Sequence, residues 1–255
     1  MVIRRPHLVL WRGRATEGVA SPEYVVAPFD RAVLSWNASG PCICELEANG
    51  ERHCMGLWGG KPRSRATAFV ATDTLTCPRI PRRPRAWGKV LAVPEHSQFS
   101  EKKDARRICS PTAVAMVLEY HGVRKSTRAV ARGVYDHAAK IYGNWPFNTA
   151  YAHSVSGLET FVQRGTGIED LEKEIAARRP AIVSHKWRTG ELDGAPLPAS
   201  DGHLIVVVGF TENGDVVVND PAGQPGAVRR VYKRRQIERT WLERGDGIMY
   251  VMRKT

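Results

Sequence analysis

The sequence predicts a chain of mixed helix and strand built in two parts, and three observations predict it. Before residue 78, short β-type runs (Tyr24–Val26, Ala32–Trp36, Ala68–Ala71) are separated by clusters of Gly, Pro, Asn and Ser, with no long helical period. From 79 to 89 the chain is rich in proline and arginine, and each proline removes a backbone donor and biases its predecessor away from helix. After residue 90, helical apolar spacings occur together with short apolar runs and a hairpin signal. The expected organisation is a small sandwich-like β-rich module at 1–78, an extended linker at 79–89 and a domain of helices and strands at 90–255.

Each element of the second part has a local cause. Val90–Val93 reads as a short strand. Ile108–Gly122, ICSPTAVAMVLEYHG, reads as a helix in which Ser110 caps the start and Pro111 takes the first position. Val114, Val117 and Leu118 recur at helical spacing, and Gly122 supplies the stop. A second helix is expected near Ser126–Val134, and Gly143–Tyr151, GNWPFNTAY, reads as a turn-rich connection. Gly167–Arg179 carries Ile168, Leu171 and Ile175 on one helical face and is ended by Pro180, before a strand at Ala181–Ser184. The runs HLIVVVGF, from His203, and VVVND, to Asp220, flank Asn213-Gly214, a strong hairpin signal. Pro221 stops the second of these strands, and Gly247–Met252 reads as a last one.

Composition narrows the function classes. The chain is 42% hydrophobic and 25% charged, the balance of a globular protein with a core. Its longest apolar run, Leu204–Val208, is far too short to span a bilayer, and the start lacks an apolar segment of signal-peptide length. No membrane span is expected, and the cytoplasm is the default location, with a secreted mature form as the alternative. The net charge is +12, with basic clusters at Arg79–Lys89, Lys102–Arg107 and Arg229–Arg235. A solvated surface is the plain expectation for such clusters, and an anionic partner is the functional one. Nucleic acid is not expected, because no binding motif or stacking aromatic set accompanies the charge. Cys42, Cys44, Cys54 and Cys77 lie in the first part with a spacing unlike a zinc site, so reduced thiols are expected, with neither metal nor cofactor.

The fifth cysteine, Cys109, stands at the mouth of the first long helix, where backbone N–H groups and the helix dipole favour a thiolate. The hairpin brings His203, at the start of one strand, to the same sheet edge as Asp220, at the end of its neighbour. A thiol, an imidazole and a carboxylate are the parts of a nucleophilic site: the thiolate attacks a carbonyl, the imidazole keeps it ionised and later protonates the leaving amine, and the acid orients the imidazole. Of the other histidines, His185 is expected in the core or at its rim, and His96 is the one rival. Asn219 and Asp220 point to opposite faces of a strand, so only one of them can face His203.

The stretches CSPTAVAMVL, DGHLIVVVGF and VVVNDPA, with Ser97-Gln98 ahead of the cysteine and LEKEIAARRPAIVS between, resemble the C39-like cysteine peptidases over about 90–255. SWNA and ATDTL in the first part resemble the β-rich region that precedes the domain in some bacterial members. The resemblance implies a papain-like α+β fold, a peptide or protein substrate, Cys109 as nucleophile, His203 as base and acid, Asp220 as the orienting acid and Gln98 as the oxyanion donor. His96 is the alternative donor. An acyl or peptidyl transferase on the same scaffold and a non-catalytic binding module are the competing functions.

Overall fold

The structure is a computed structural model that describes residues 34, 36, 42–48, 51–58 and 86–254. In the first part, β1 (Cys42–Ala48) and β2 (Glu51–Trp58) form an antiparallel pair with a bulge at Cys44/Glu45. Trp58, together with Trp36, packs on Phe147 of the second part, with ring centroids 5.8 Å apart in each case. Cys54 is a free thiol, while Cys77, the side chain of Cys42, and the expected strands at 24–26 and 68–71 lie outside the described residues. The sandwich-like expectation lies largely outside them too.

The second part is a six-stranded antiparallel sheet with helices, a mixed α+β arrangement. In chain order its elements are α1 (Cys109–Tyr120), α2 (Thr127–Val134), α3 (Trp145–Ser156), β3 (Glu159–Arg164), α4 (Ile168–Ala176), β4 (Ala181–Trp187), β5 (Ser200–Phe210), β6 (Val216–Asn219), β7 (Arg229–Tyr232), α5 (Arg234–Ile237) and β8 (Ile248–Arg253). The strand order is β3-β8-β4-β5-β6-β7. Residues 203–210 of β5 are all buried, so both faces of the central strand are covered, and α1 and α4 each pack against it. Among the described residues no helix is long and apolar enough to cross a membrane.

Several local expectations need correction. Ser110 does not cap α1: Ile108 stands at the cap position without a side-chain bond, and the Ser110 hydroxyl pairs with the buried Tyr250 hydroxyl at 2.9 Å. The reason is burial, because Ser110–Leu118 is enclosed all round and a buried phenol needs a polar partner. Gly143–Tyr151 is not a loop, since Asn144 caps α3 and Pro146 sits in its first turn. The Asn and Pro that suggest a turn are here the signature of a helix start.

Val90–Val93 is not a strand. β5 already has β4 and β6 on its two edges, so the segment shares only the strand's last residues, through single bridges from Trp87 to Phe210 and from Val90 to Gly209. Residues 86–89, expected in the linker, are therefore seated on the sheet, with Trp87 Nε1 donating to Glu172 at 2.8 Å. The basic run 229–235 is largely built into the scaffold as well: Arg229 donates to Asn219 and to the Val93 carbonyl, Arg230 to the Gly194 carbonyl, and Arg234 to Glu172.

The approach of 86–91 to β5 requires glycine at 209, where a Cβ would lie 2.3 Å from the Lys89 carbonyl oxygen and 2.7 Å from Val90 Cα. Backbone atoms cannot yield as a side chain can. Gly209→Ala is expected to cost about 1–3 kcal/mol, read as a lower denaturant midpoint at unchanged slope.

Candidate active site

The site forms where three remote parts of the chain meet. Cys109 is the first residue of α1, half-buried, and its position follows from the missing side-chain cap. The first N–H groups of a helix have no partner within it. Here the Ser110 N–H, together with the Leu204 N–H from β5, serves the Cys109 thiol.

His203 lies on β5 and is 2% exposed. Its Nε2 is 2.7 Å from Asp220 Oδ1, which leaves Nδ1 for the hydrogen bond with the Cys109 thiol. Asp220 follows the last residue of β6 and is fully buried. The Asn-Gly hairpin accounts for this meeting: β5 and β6 pair in antiparallel register from Phe210↔Val216 to Val206↔Asn219, so the residue after β6 comes to the His203 end of β5. Asp220 Oδ1 also accepts the Ala222 N–H at 2.9 Å, and Oδ2 accepts the Tyr232 hydroxyl at 2.7 Å. Both carboxylate oxygens are thus satisfied, as a buried charge requires.

The electrostatics follow from these contacts. Burial acts to raise the Asp220 carboxyl, but the charge and hydrogen bond of His203 and the bond from Tyr232 outweigh it and hold the group below the usual carboxylate range. Burial likewise works against a charged His203, yet Asp220 and then Cys109 raise the imidazole well above its ordinary value. For Cys109, burial raises the thiol, while the bond and charge of His203 and the two N–H groups lower it, with a net downward shift. The arrangement can therefore hold a thiolate–imidazolium pair oriented by a carboxylate.

Asn219 takes another part. Its Nδ2 donates to the carbonyls of Val93 and Pro94, at 3.2 and 3.0 Å, and its Oδ1 accepts from Arg229 Nε at 2.5 Å. It ties the segment at Val93 and Pro94 to the sheet, and none of these three bonds goes to His203. Gln98 is 2% exposed in a single 3-10 turn, Gln98–Ser100. Its N–H donates to the Pro221 carbonyl at 2.9 Å, and Ser97 Oγ donates to the Gly223 carbonyl at 2.6 Å, so its loop is clamped to the loop that follows Asp220. Gln98 Oε1 is buried with no partner among the described residues. His96 is engaged elsewhere: its Nε2 lies 2.9 Å from Glu119 in the last turn of α1, about 15 Å along the helix from Cys109.

Two parts of the site carry no sequence signal. Tyr232, on β7, reaches Asp220 across β6, and its run of basic neighbours gives no hint of this. His185, on β4, is the register partner of His203, and Trp187 packs on both rings, with centroids 4.6 and 5.8 Å away. Burial and the nearby His203 push His185 down to about 3, so it stays neutral beside the charged ring. Among the described residues no group of His, Cys, Asp and Glu could hold a metal ion.

The Cys109 shift sets an expected pH dependence. Alkylation of Cys109 by iodoacetamide should stay nearly flat from neutral pH upward and fall only on the acid side, once the thiolate is protonated. His203→Ala should return Cys109 to the slope of an ordinary thiol, rising toward pH 8.5 or so. For stability, a carboxyl lowered in the folded state contributes above its unfolded value and loses that contribution as pH falls. The unfolding midpoint should therefore drop below about pH 4, and less steeply in Asp220→Asn than in the parent.

The chain is similar to several solved structures and to one family of sequences. A protein from Bacillus anthracis assigned as a C39-like peptidase superposes with a TM-score of 0.50 at 17% identity, covering 66% of this chain and 98% of its own. The double glycine motif protease of an AMS/PCAT transporter, solved with a leader peptide, gives 0.46 at 21% identity, covering 66% and 95%. The peptidase domain of Streptococcus ComA gives 0.40 at 16%, covering 66% and 99%. No curated protein sequence matches the chain. The profile of the Peptidase_C39 like family matches residues 90–249, and the chain belongs to that family.

Proposed function

We propose that this protein is a cysteine peptidase of papain-like arrangement that cleaves peptide bonds through Cys109, His203 and Asp220, with Gln98 as an oxyanion donor. The observation that carries the proposal is one continuous chain of contacts: the helix-start thiol bonded to His203, and the other ring nitrogen of His203 held at 2.7 Å by a buried carboxylate.

The chemistry follows from these positions. The Cys109 thiolate attacks the substrate carbonyl carbon, and the carbonyl oxygen becomes an oxyanion. The N–H at the start of α1 and the Gln98 amide are the donors for that oxygen, and an amide suits the task because it stays neutral across the working pH. His203 gives its proton to the leaving amine as the C–N bond breaks, which leaves an acyl group on the sulfur. It then takes a proton from water, the hydroxide adds to the thioester, and the acid product departs with the thiolate restored. Asp220 stays ionised throughout and stabilises the imidazolium.

The variants separate these roles. Cys109→Ala is expected to abolish peptide hydrolysis while leaving the unfolding midpoint close to that of the parent. Full turnover in that protein would end the proposal. Asp220→Ala should lower the turnover number strongly, whereas Asn219→Ala should mainly lower stability, by about 1–3 kcal/mol for its lost buried bonds. Gln98→Ala should lose about a hundredfold to a thousandfold in turnover, with alkylation of Cys109 nearly unchanged. Normal turnover in Gln98→Ala beside an impaired His96→Ala would move the donor role to His96.

A further inference from the structure

Between Gln98 and Cys109 the chain makes a short surface loop, EKKDARR at 101–107, whose charges are used unequally. Asp104 accepts the Tyr142 hydroxyl at 2.8 Å and lies 3.9 Å from Arg107. Arg107 in turn donates to the Lys140 carbonyl and stacks over the Tyr142 ring, 5.6 Å from its centroid. These contacts brace the loop at its middle and end, with Asp104 in the left-handed region at φ +60°. They also consume Asp104 and Arg107. Lys102, Lys103, Arg106 and Lys140 remain exposed, with no ion pair among the described residues.

The contrast with residues 229–235 matters, because there Arg229, Arg230 and Arg234 are tied into the scaffold. A loop that braces itself with one acid and one base, and leaves its other cations free, presents charge at a fixed place. That place is beside the thiol: Arg106 is three residues from Cys109, within about 10 Å along the backbone, roughly one Debye length at 0.1 M salt. The cations do not serve the thiol itself, whose lowering comes from His203 and the N–H groups of Leu204 and Ser110. Their exposed charge stands at the Cys109 end of α1.

We propose that Lys102, Lys103, Arg106 and Lys140 form a cationic rim that selects peptides carrying acidic side chains next to the cleaved bond. The proposal rests on the peptidase reading as far as cleavage goes, and the rim itself is tested by binding. Complementary charge concentrates an acidic segment at the cleft and holds it in register, and both effects weaken with salt.

The test uses the full chain with Cys109→Ala, so that binding is read without turnover. Fluorescence anisotropy compares a labelled Glu-rich peptide with its Gln-containing isostere. The Glu peptide should bind about tenfold more tightly at low salt, from several exposed pairs each contributing a few-fold, and lose most of that advantage near about 0.5 M salt. Lys102→Glu/Lys103→Glu/Arg106→Glu should abolish the preference, and the triple Gln variant should reduce it. Lys125→Glu/Arg235→Glu/Lys254→Glu changes the net charge equally at the opposite end of α1 and the sheet, and should keep the preference. Equal binding of the two peptides, or an equal loss in both charge-reversed triples, would overturn the rim, the latter by showing general attraction to polyanions. Iodoacetamide labelling of Cys109 in the rim variants, made without the alanine, checks that the fold is intact.

The two readings fail separately. If the active chain cleaves neutral and acidic peptides equally well, the rim is wrong and the peptidase stands. If nothing is cleaved while the salt-sensitive preference persists and follows 102–106, the rim stands and the peptidase is wrong.

Discussion

The contact on which the rest of the site depends is the 2.7 Å bond between His203 and Asp220, with both groups almost wholly out of water. A buried carboxylate is costly unless its oxygens are occupied, and here every neighbour contributes: the imidazole, the Tyr232 hydroxyl and the Ala222 N–H. Once Asp220 is fixed as an anion, His203 holds its proton, and once His203 is charged, the thiol at the start of α1 can give its proton up. Removing the carboxylate would leave the imidazole without its orienting partner and the phenol without its acceptor. The electrostatics are therefore one linked arrangement in which the buried acid comes first.

Much of this was legible in the sequence because hairpins and helix starts are local. Asn213-Gly214 between two β-type runs was enough to bring His203 and Asp220 to one sheet edge, and Gly214 takes the positive φ of +81° that such a turn needs. The SPT phrase was enough to place Cys109 at a helix mouth. What the sequence misassigned was tertiary in origin. Ser110 has the chemistry of a cap, but the neighbouring strand β8 presents a buried phenol that claims its hydroxyl. Val90–Val93 has strand composition, yet the sheet has no free edge beside β5 for it. His185 and Trp187 enter the site through register across strands, and no spacing along the chain reveals that pairing. Much of the first part lies outside the described residues, so its sequence reading stands alone.

The clamp between the Gln98 loop and the residues after Asp220 links two halves of the proposed chemistry. Ser97 and Gln98 bond to Gly223 and Pro221, while Asn219, one residue before the acid, bonds back to Val93 and Pro94. The segment ahead of the nucleophile helix is thus laced to the segment that carries the acid on both sides of it. A shift of either loop would move the acid and the amide together, so the spacing between them is kept even where the outer surface yields.

That lacing also has a consequence for how the molecule acquires its chemistry in time. The bonds join residues about 125 positions apart, from Ser97 to Gly223 and from Asn219 to Val93. Contacts of such high sequence separation carry a large loop-closure cost and are met late, after helices and local hairpins have formed. A chain still emerging during synthesis has Cys109 well before it has His203 or Asp220, and so carries an ordinary thiol. The imidazole and the N–H groups that lower the thiol come from His203, Leu204 and Ser110, two of them nearly 100 residues further on. The contacts that lower the Cys109 thiol are in this sense completed last, because the strand that carries His203 and the residue that orients it lie about 100 positions further along the chain.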